Sequence, residues 1–224
     1  MSQELAGCAR CPIQTKDRLC QKADGKSPSF CPTANYQAAV DGAIEELKKP
    51  EILEFARQAS IQEADGYANR ESGYAHVKPV KPRIQETLEF AHRMNYKRLG
   101  LVFCLGLRPE AKIVEKLLAG AGFEVVSALC KMGRTPKESI GVRDDQKINI
   151  GCFESMCNPI AQALVMNQEK TEFNIVMGLC VGHDSLFLKY ADAPCTVLAA
   201  KDRLLGHNPL AAIYTIDTYY RSLK

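Results

Sequence analysis

The sequence predicts an α/β protein with a Rossmann-like, three-layer, mainly parallel sheet, preceded by a helical segment and a small N-terminal cysteine-rich segment. Three observations lead there. Beyond residue 97, short apolar runs alternate with helical stripes, the pattern of strands joined by crossover helices. Between that region and the N-terminus, apolar residues recur at helical spacing. The first 34 residues hold four cysteines, three prolines and too few large apolar side chains to build a core unaided. With 224 residues and 46% hydrophobic content the chain can bury one substantial core, and the expected division is 1–34, 35–96 and 97–224 within one compact unit.

The elements follow in order. From about Tyr36, Val40, Ala43, Ile44 and Leu47 recur at i, i+3, i+4 and i+7, and Pro50 marks a break. A second helix is expected from Glu51 to about Tyr67. Two prolines between Lys78 and Pro82 give an extended connector, after which Ile84, Leu88 and Ala91 mark a third helix. Leu99 to Phe103 suits a strand buried on both faces, and Val114, Leu117, Leu118 and Ala121 form the stripe of the helix after it. Glu124 to Leu129 supplies a second strand, followed by a loop longer than usual, a sign of function or of a hidden element. Then come a helix from about Asn158 to Asn167, a strand at Phe173 to Gly178, a short helix near Ser185 to Tyr190, and a strand at Thr196 to Ala200.

Composition removes several function classes. No apolar stretch approaches the roughly 20 residues of a membrane span, so no membrane association is expected. The first 30 residues carry no secretory apolar run, which points to the cytoplasm. Net charge is only +3, with cations scattered among acids, so nucleic acid is not an expected partner. Ten cysteines in a reducing compartment favour metal ligation or thiol chemistry over disulfides.

Cys8 and Cys11 form a CxxC pair that lets two thiolates reach one metal from a single turn, and Cys20 and Cys31 complete a tetrathiolate set. Four thiolates suit zinc or an iron-sulfur cluster equally, and such binding would staple a coreless segment. A second set depends on the sheet: Cys104, Cys130 and Cys180 each follow a predicted strand, and Cys157 begins a predicted helix. In a parallel sheet those positions share the carboxyl edge, where ligands bind. Any one of them alone reads as a buried filler, the role expected for Cys195. His183, three residues after Cys180, has the chemistry to ligate, shuttle protons or activate a thiol, with Asp184 to fix its tautomer; the plainer reading makes Asp184 or Ser185 a helix cap. Lys201 and Arg203 suit an anionic ligand or surface pairing with Asp202. Gly178 and Gly182 allow close backbone approach, but no phosphate-binding glycine motif occurs.

At the N-terminal cysteines and at FCLGL (103–107), CKMG (130–133), CNP (157–159), GLCVGHDSLF (178–187) and KDRLLGHNP (201–209), the chain resembles the uncharacterised family known as domain of unknown function 1847. The resemblance covers most of the chain. It implies N-terminal metal-binding cysteines, carried over to Cys8, Cys11, Cys20 and Cys31 as zinc ligands, and brings no established activity.

These readings converge on a metal-binding protein: a 4Fe-4S cluster at Cys104, Cys130, Cys157 and Cys180, plus a zinc or cluster site at the N-terminal quartet. Redox or Lewis-acid chemistry on a small molecule, or exchange with an electron-transfer partner, would follow. The alternatives are a non-catalytic zinc-binding protein, and a thiol enzyme using Cys180 or Cys157 with His183.

Overall fold

A computed structural model describes residues 4–224, which form two compact units, one ending at Ala64 and the other running from Asp65 to Lys224. The first unit begins with short turns, including Cys8–Arg10 and Thr15–Asp17, and continues into three helices: α1 (Pro32–Asn35), α2 (Gln37–Glu46) and α3 (Pro50–Asp65), whose last residue opens the second unit. Among its described residues only Gln62 is buried. The apolar stripe of Val40 and Ile44 on α2 and Leu47 at its C-cap is exposed, so the unit has no hydrophobic core among its described residues.

The second unit starts with a two-stranded antiparallel ladder of β1 (Tyr67–Ala68) and β2 (Lys78–Pro79), then α4 (Arg83–Arg93). Four parallel strands follow: β3 (Arg98–Phe103), β4 (Glu124–Leu129), β5 (Phe173–Met177) and β6 (Cys195–Ala199). Their spatial order is β4-β3-β5-β6. The connecting helices are α5 (Arg108–Gly120), α6 (Pro159–Gln168) and α7 (His183–Tyr190), and α8 (Leu210–Tyr214) lies near the C-terminus. Among the described residues this makes a mixed α/β protein with a four-stranded parallel sheet and eight α-helices.

The central strands are apolar because both faces are covered. All five residues of β5 are buried, as are Leu99 to Phe103 of β3, whereas the edge strands β4 and β6 are only partly so. Val102 and Val176 pack with Ala163 and Met166 of α6 and Phe187 of α7. On α4, the Phe90 ring meets Phe173 at 5.5 Å, and Arg83 reaches the edge strand through Val197 O and Thr196 Oγ1, both at 2.8 Å. Each fully buried Leu, Ile or Val stabilises the fold by roughly 1.5–3 kcal/mol over an exposed one. Close packing also dictates a glycine: a Cβ on Gly100 would lie 2.0 Å from Asn174 Oδ1 on the neighbouring strand and 2.6 Å from Met166 Sδ of α6.

Topology singles out one edge of the sheet. The chain leaves β3 for β4 on one side, then returns to place β5 on the other side of β3, so its winding reverses between β3 and β5. Open α/β sheets bind ligands beyond the carboxyl ends of the strands at such a reversal.

Candidate functional site

Register brings the strand ends level. Phe103 pairs with both Leu129 and Met177, so Cys104 and Cys130 emerge side by side and Gly178 lies on the same line. Backbone bonds fix them: Cys104 N donates to Met177 O at 3.2 Å, Cys130 N to Phe103 O at 2.9 Å and Gly178 N to Ala199 O at 2.7 Å. From beneath, the buried Gln162 of α6 donates from Nε2 to Ala128 O at 2.7 Å, tying the helix to the end of β4. Gly178 turns the chain with φ +67, and a Cβ there would lie 2.1 Å from Leu107 Cδ1. Two residues later comes Cys180, whose carbonyl accepts from His183 N at 2.9 Å and Asp184 N at 3.1 Å as α7 begins.

The fourth cysteine arrives by the long loop after β4, which is more ordered than its sequence suggests. Its ends meet where Asn158 N donates to Cys130 O at 2.7 Å, and its limbs pair through Lys137 N to Glu154 O at 3.0 Å and Met156 N to Thr135 O at 2.8 Å. Two 3-10 turns, Lys137–Ile140 and Asp144–Gln146, fill the tip around the buried Lys147, whose ammonium pairs with Glu138 and with Asp144. Asn158 then caps α6, its Oδ1 accepting from Ala161 N at 3.0 Å. The loop is thus a clamp that sets Cys157 against Cys130.

Cys104, Cys130, Cys157 and Cys180 all line one open cleft of about 450 Å³ at this edge. The Cys130 and Cys157 thiols are close enough to shift each other's titration. This proximity and burial push the Cys130 pKa up, although Leu105 N also donates to its sulfur at 3.3 Å. The same proximity pulls Cys157 down to about 5 against the opposing effect of burial, with Lys131, His183 and Lys137 adding positive potential. Arg203 Nη2 donates to Cys180 Sγ at 2.9 Å. Cationic groups therefore lie beside two of the thiols, Cys157 and Cys180.

Of the two readings of this segment, the side-chain pairing of His183 with Asp184 does not form. Asp184 Oδ1 accepts from Gly182 N at 3.0 Å and Ser185 N at 2.8 Å, organising the turn into α7, while His183 Nδ1 is buried with no hydrogen-bond partner among the described residues. A carboxylate next in sequence to a histidine at a helix start is better placed to reach backbone N–H groups than the ring. Asp202 likewise pairs with neither neighbouring cation; its Oδ1 accepts from Leu204 N at 3.0 Å and Leu205 N at 2.8 Å. Cys195, at the opposite end of β6, is half-buried beside the core, and burial raises its pKa. The sequence reading missed Lys131 and Glu154 as cleft residues. Lys131 was detectable as the neighbour of a strand-end cysteine, and Glu154 only through the loop that carries it.

In the first unit Cys8, Cys11, Cys20 and Cys31 line a second, much smaller cavity of about 60 Å³, walled also by Leu19 and Phe30. Short-range bonds assemble it: Cys11 N to Cys8 O at 3.2 Å, Gly7 N to Phe30 O at 3.3 Å and Leu19 N to Lys26 O at 2.9 Å. Arg10 stacks over the Phe30 ring at 4.7 Å. The backbone N–H of Ala34 chiefly, with that of Thr33, lowers the Cys31 pKa. In both units the thiols share a cavity without closing on a common centre: among the described residues no group of three Cys, His, Asp or Glu side chains is drawn in to hold one ion.

Fold and site together define an α/β protein with a thiol-lined cleft at the winding reversal of a parallel sheet. The chain belongs to the family described as "protein of unknown function (DUF1847)", whose sequence model matches residues 31–198. It is 45% identical over 172 residues to an uncharacterized protein of Methanocaldococcus jannaschii, a match that covers 77% of this chain and 81% of that protein. The family match contains all four cleft cysteines and Cys31, while Cys8, Cys11 and Cys20 precede it. No helix among the described residues is long and apolar enough to cross a membrane.

Proposed function

We propose that this protein is a metal-binding protein of Rossmann-like architecture that carries an iron-sulfur cluster in the sheet-edge cleft and a zinc ion or a second cluster at the N-terminal quartet. One observation carries the reading: four cysteines from four separate segments line a single cleft. The donor chemistry fits, since four soft thiolates select zinc or iron-sulfur centres. Scale favours different occupants for the two sites. Four thiolates on one zinc, each about 2.3 Å from the metal, suit the small cavity of the first unit. In a 4Fe-4S cluster each thiolate binds a different iron and stands farther from the others, which suits the wide cleft.

A bound cluster would supply redox or Lewis-acid chemistry to a small molecule or an electron-transfer partner. The residues have separable tasks. Cys104, Cys130, Cys157 and Cys180 are the ligands, Arg203 orients Cys180, Lys131 balances charge beside Cys157, and Gln162 holds the end of β4 in place. The deciding experiment is anaerobic purification with iron, zinc and acid-labile sulfide counted per chain. We expect iron and sulfide near four each, lost in Cys130→Ser and Cys157→Ser but kept in Cys11→Ser. A colourless protein that holds zinc alone, unchanged in Cys130→Ser, would instead mark a non-catalytic zinc protein.

The proximity of Cys130 and Cys157 favours a second reading, a thiol enzyme with Cys157 rather than Cys180 as the reactive group. Here His183 contributes positive potential. Peptide mapping after brief iodoacetamide treatment of iron-free protein tests it: Cys157 must label ahead of the other cleft cysteines.

A further inference from the structure

We propose that the sheet-edge cleft binds a small oxyanion, a carboxylate or phosphate group, through Lys201, His207 and the remaining donors of Arg203. This rests on the cleft being a working site, as read above, and names the class of molecule it takes.

The rim after β6 brings Lys201, Arg203 and His207 to the cleft. His207 Nδ1 accepts from Asp202 N at 3.2 Å, so the ring carries its proton on Nε2 and offers a donor there. His207 N in turn donates to Asp202 O at 2.8 Å, and Asp202 Oδ1 gathers Leu204 N and Leu205 N. This closed set of bonds holds His207 at φ +66, an uncommon conformation for a non-glycine residue. Lys201 makes no ion pair among the described residues. The space before it is bare backbone: a Cβ added to Gly106 would stand 3.4 Å from Lys201 Nζ and 4.0 Å from Cys104 Sγ. Ammonium and thiol therefore face the same opening.

No carboxylate of the protein competes for these donors. Glu154, also on the cleft, is held by Lys137 Nζ at 2.6 Å and by Ile148 N and Asn149 N at 3.0 Å each. Asp202 and Asp184 are committed to their own turns. Lys131, the other lysine of the cleft, is already paired with Glu154 at 3.9 Å, whereas Lys201 has no such carboxylate among the described residues. Three donor side chains on one rim are complementary to a ligand rich in acceptors. At about 450 Å³ the cleft also falls within the range of roughly 300–1,000 Å³ seen for small-molecule sites.

The test titrates full-length protein, purified anaerobically and assayed for iron, with malonate and with inorganic phosphate by calorimetry, against sodium chloride at equal ionic strength. We expect saturable binding of one or both anions. Lys201→Gln should weaken it by about tenfold or more, the scale of a charge-assisted hydrogen bond, and Lys201→Arg should retain most of it, with iron content equal in all three proteins. Preference for malonate assigns a carboxylate ligand, and preference for phosphate a phosphorylated one. Binding no stronger than chloride, unchanged binding in Lys201→Gln, or loss of iron from that variant overturns the proposal, the last by making the lysine a counter-charge to the cluster. Iron-free protein that still binds anions through Lys201 refutes the cluster and keeps the subsite.

Discussion

Gly178 and Gly182 both hold positive φ, at +67 and +85, yet their surroundings separate them. A methyl group on Gly178 meets Leu107, whereas nothing lies within 4 Å of one on Gly182. Gly178→Ala should therefore cost roughly 2–5 kcal/mol, strain and overpacking together, and Gly182→Ala only about 1 kcal/mol. Urea unfolding of the two variants checks the ranking, and equal midpoints would contradict it. A second residue-scale prediction concerns Glu154, whose carboxyl is held down to about 2 by Lys137 first and then by backbone N–H groups of the loop. A depressed carboxylate adds stability that is present above its ordinary value of 4.5 and is lost as pH falls through about 2. Glu154→Gln should thus be less stable than the parent at neutral pH, and the two unfolding midpoints should converge as pH falls from 4.5 towards 2.

At the scale of elements, the strands and crossover helices were legible because an apolar run such as Leu99 to Phe103 admits few other readings. Helix starts moved slightly: α7 begins at His183 rather than Ser185, since Asp184 organises the turn before it. The clamp after β4 was not legible. Its order comes from Lys147 inside a ring of acceptors and from cross-limb backbone bonds, none of which leaves a periodic trace in sequence. Strand order was equally hidden, so the meeting of Cys104 and Cys180 across the winding reversal required the fold. One element-scale outcome follows. Lys147→Met, which keeps the bulk but deletes the ion pairs, should loosen the tip and speed amide exchange across residues 137–154 while leaving β3 and β5 protected. Exchange measured by mass spectrometry decides it, and loss of protection throughout the sheet would show that the clamp is part of the core.

Across the whole molecule the two units draw stability from different sources. The second buries Leu99, Leu101, Ile175 and Phe187 completely, while the first buries no apolar side chain among its described residues. If metal staples the first unit, a chelator should abolish exchange protection in residues 4–64 and spare β3 and β5; protection that survives metal removal would refute the staple.

The spacing of the two cysteine sets along the chain carries a consequence for how the protein is made. Cys8, Cys11, Cys20 and Cys31 are neighbours in sequence, so if they hold an ion, as proposed, a growing chain could close them on it while the rest is still being translated. The cleft cysteines span Cys104 to Cys180 and depend on β3, β4 and β5 being paired in register. On the proposed occupancy, maturation would have a fixed order, local loading first and sheet-edge loading last. An arrested chain ending before β5 would then be half-equipped, able to take the first metal and unable to hold the second.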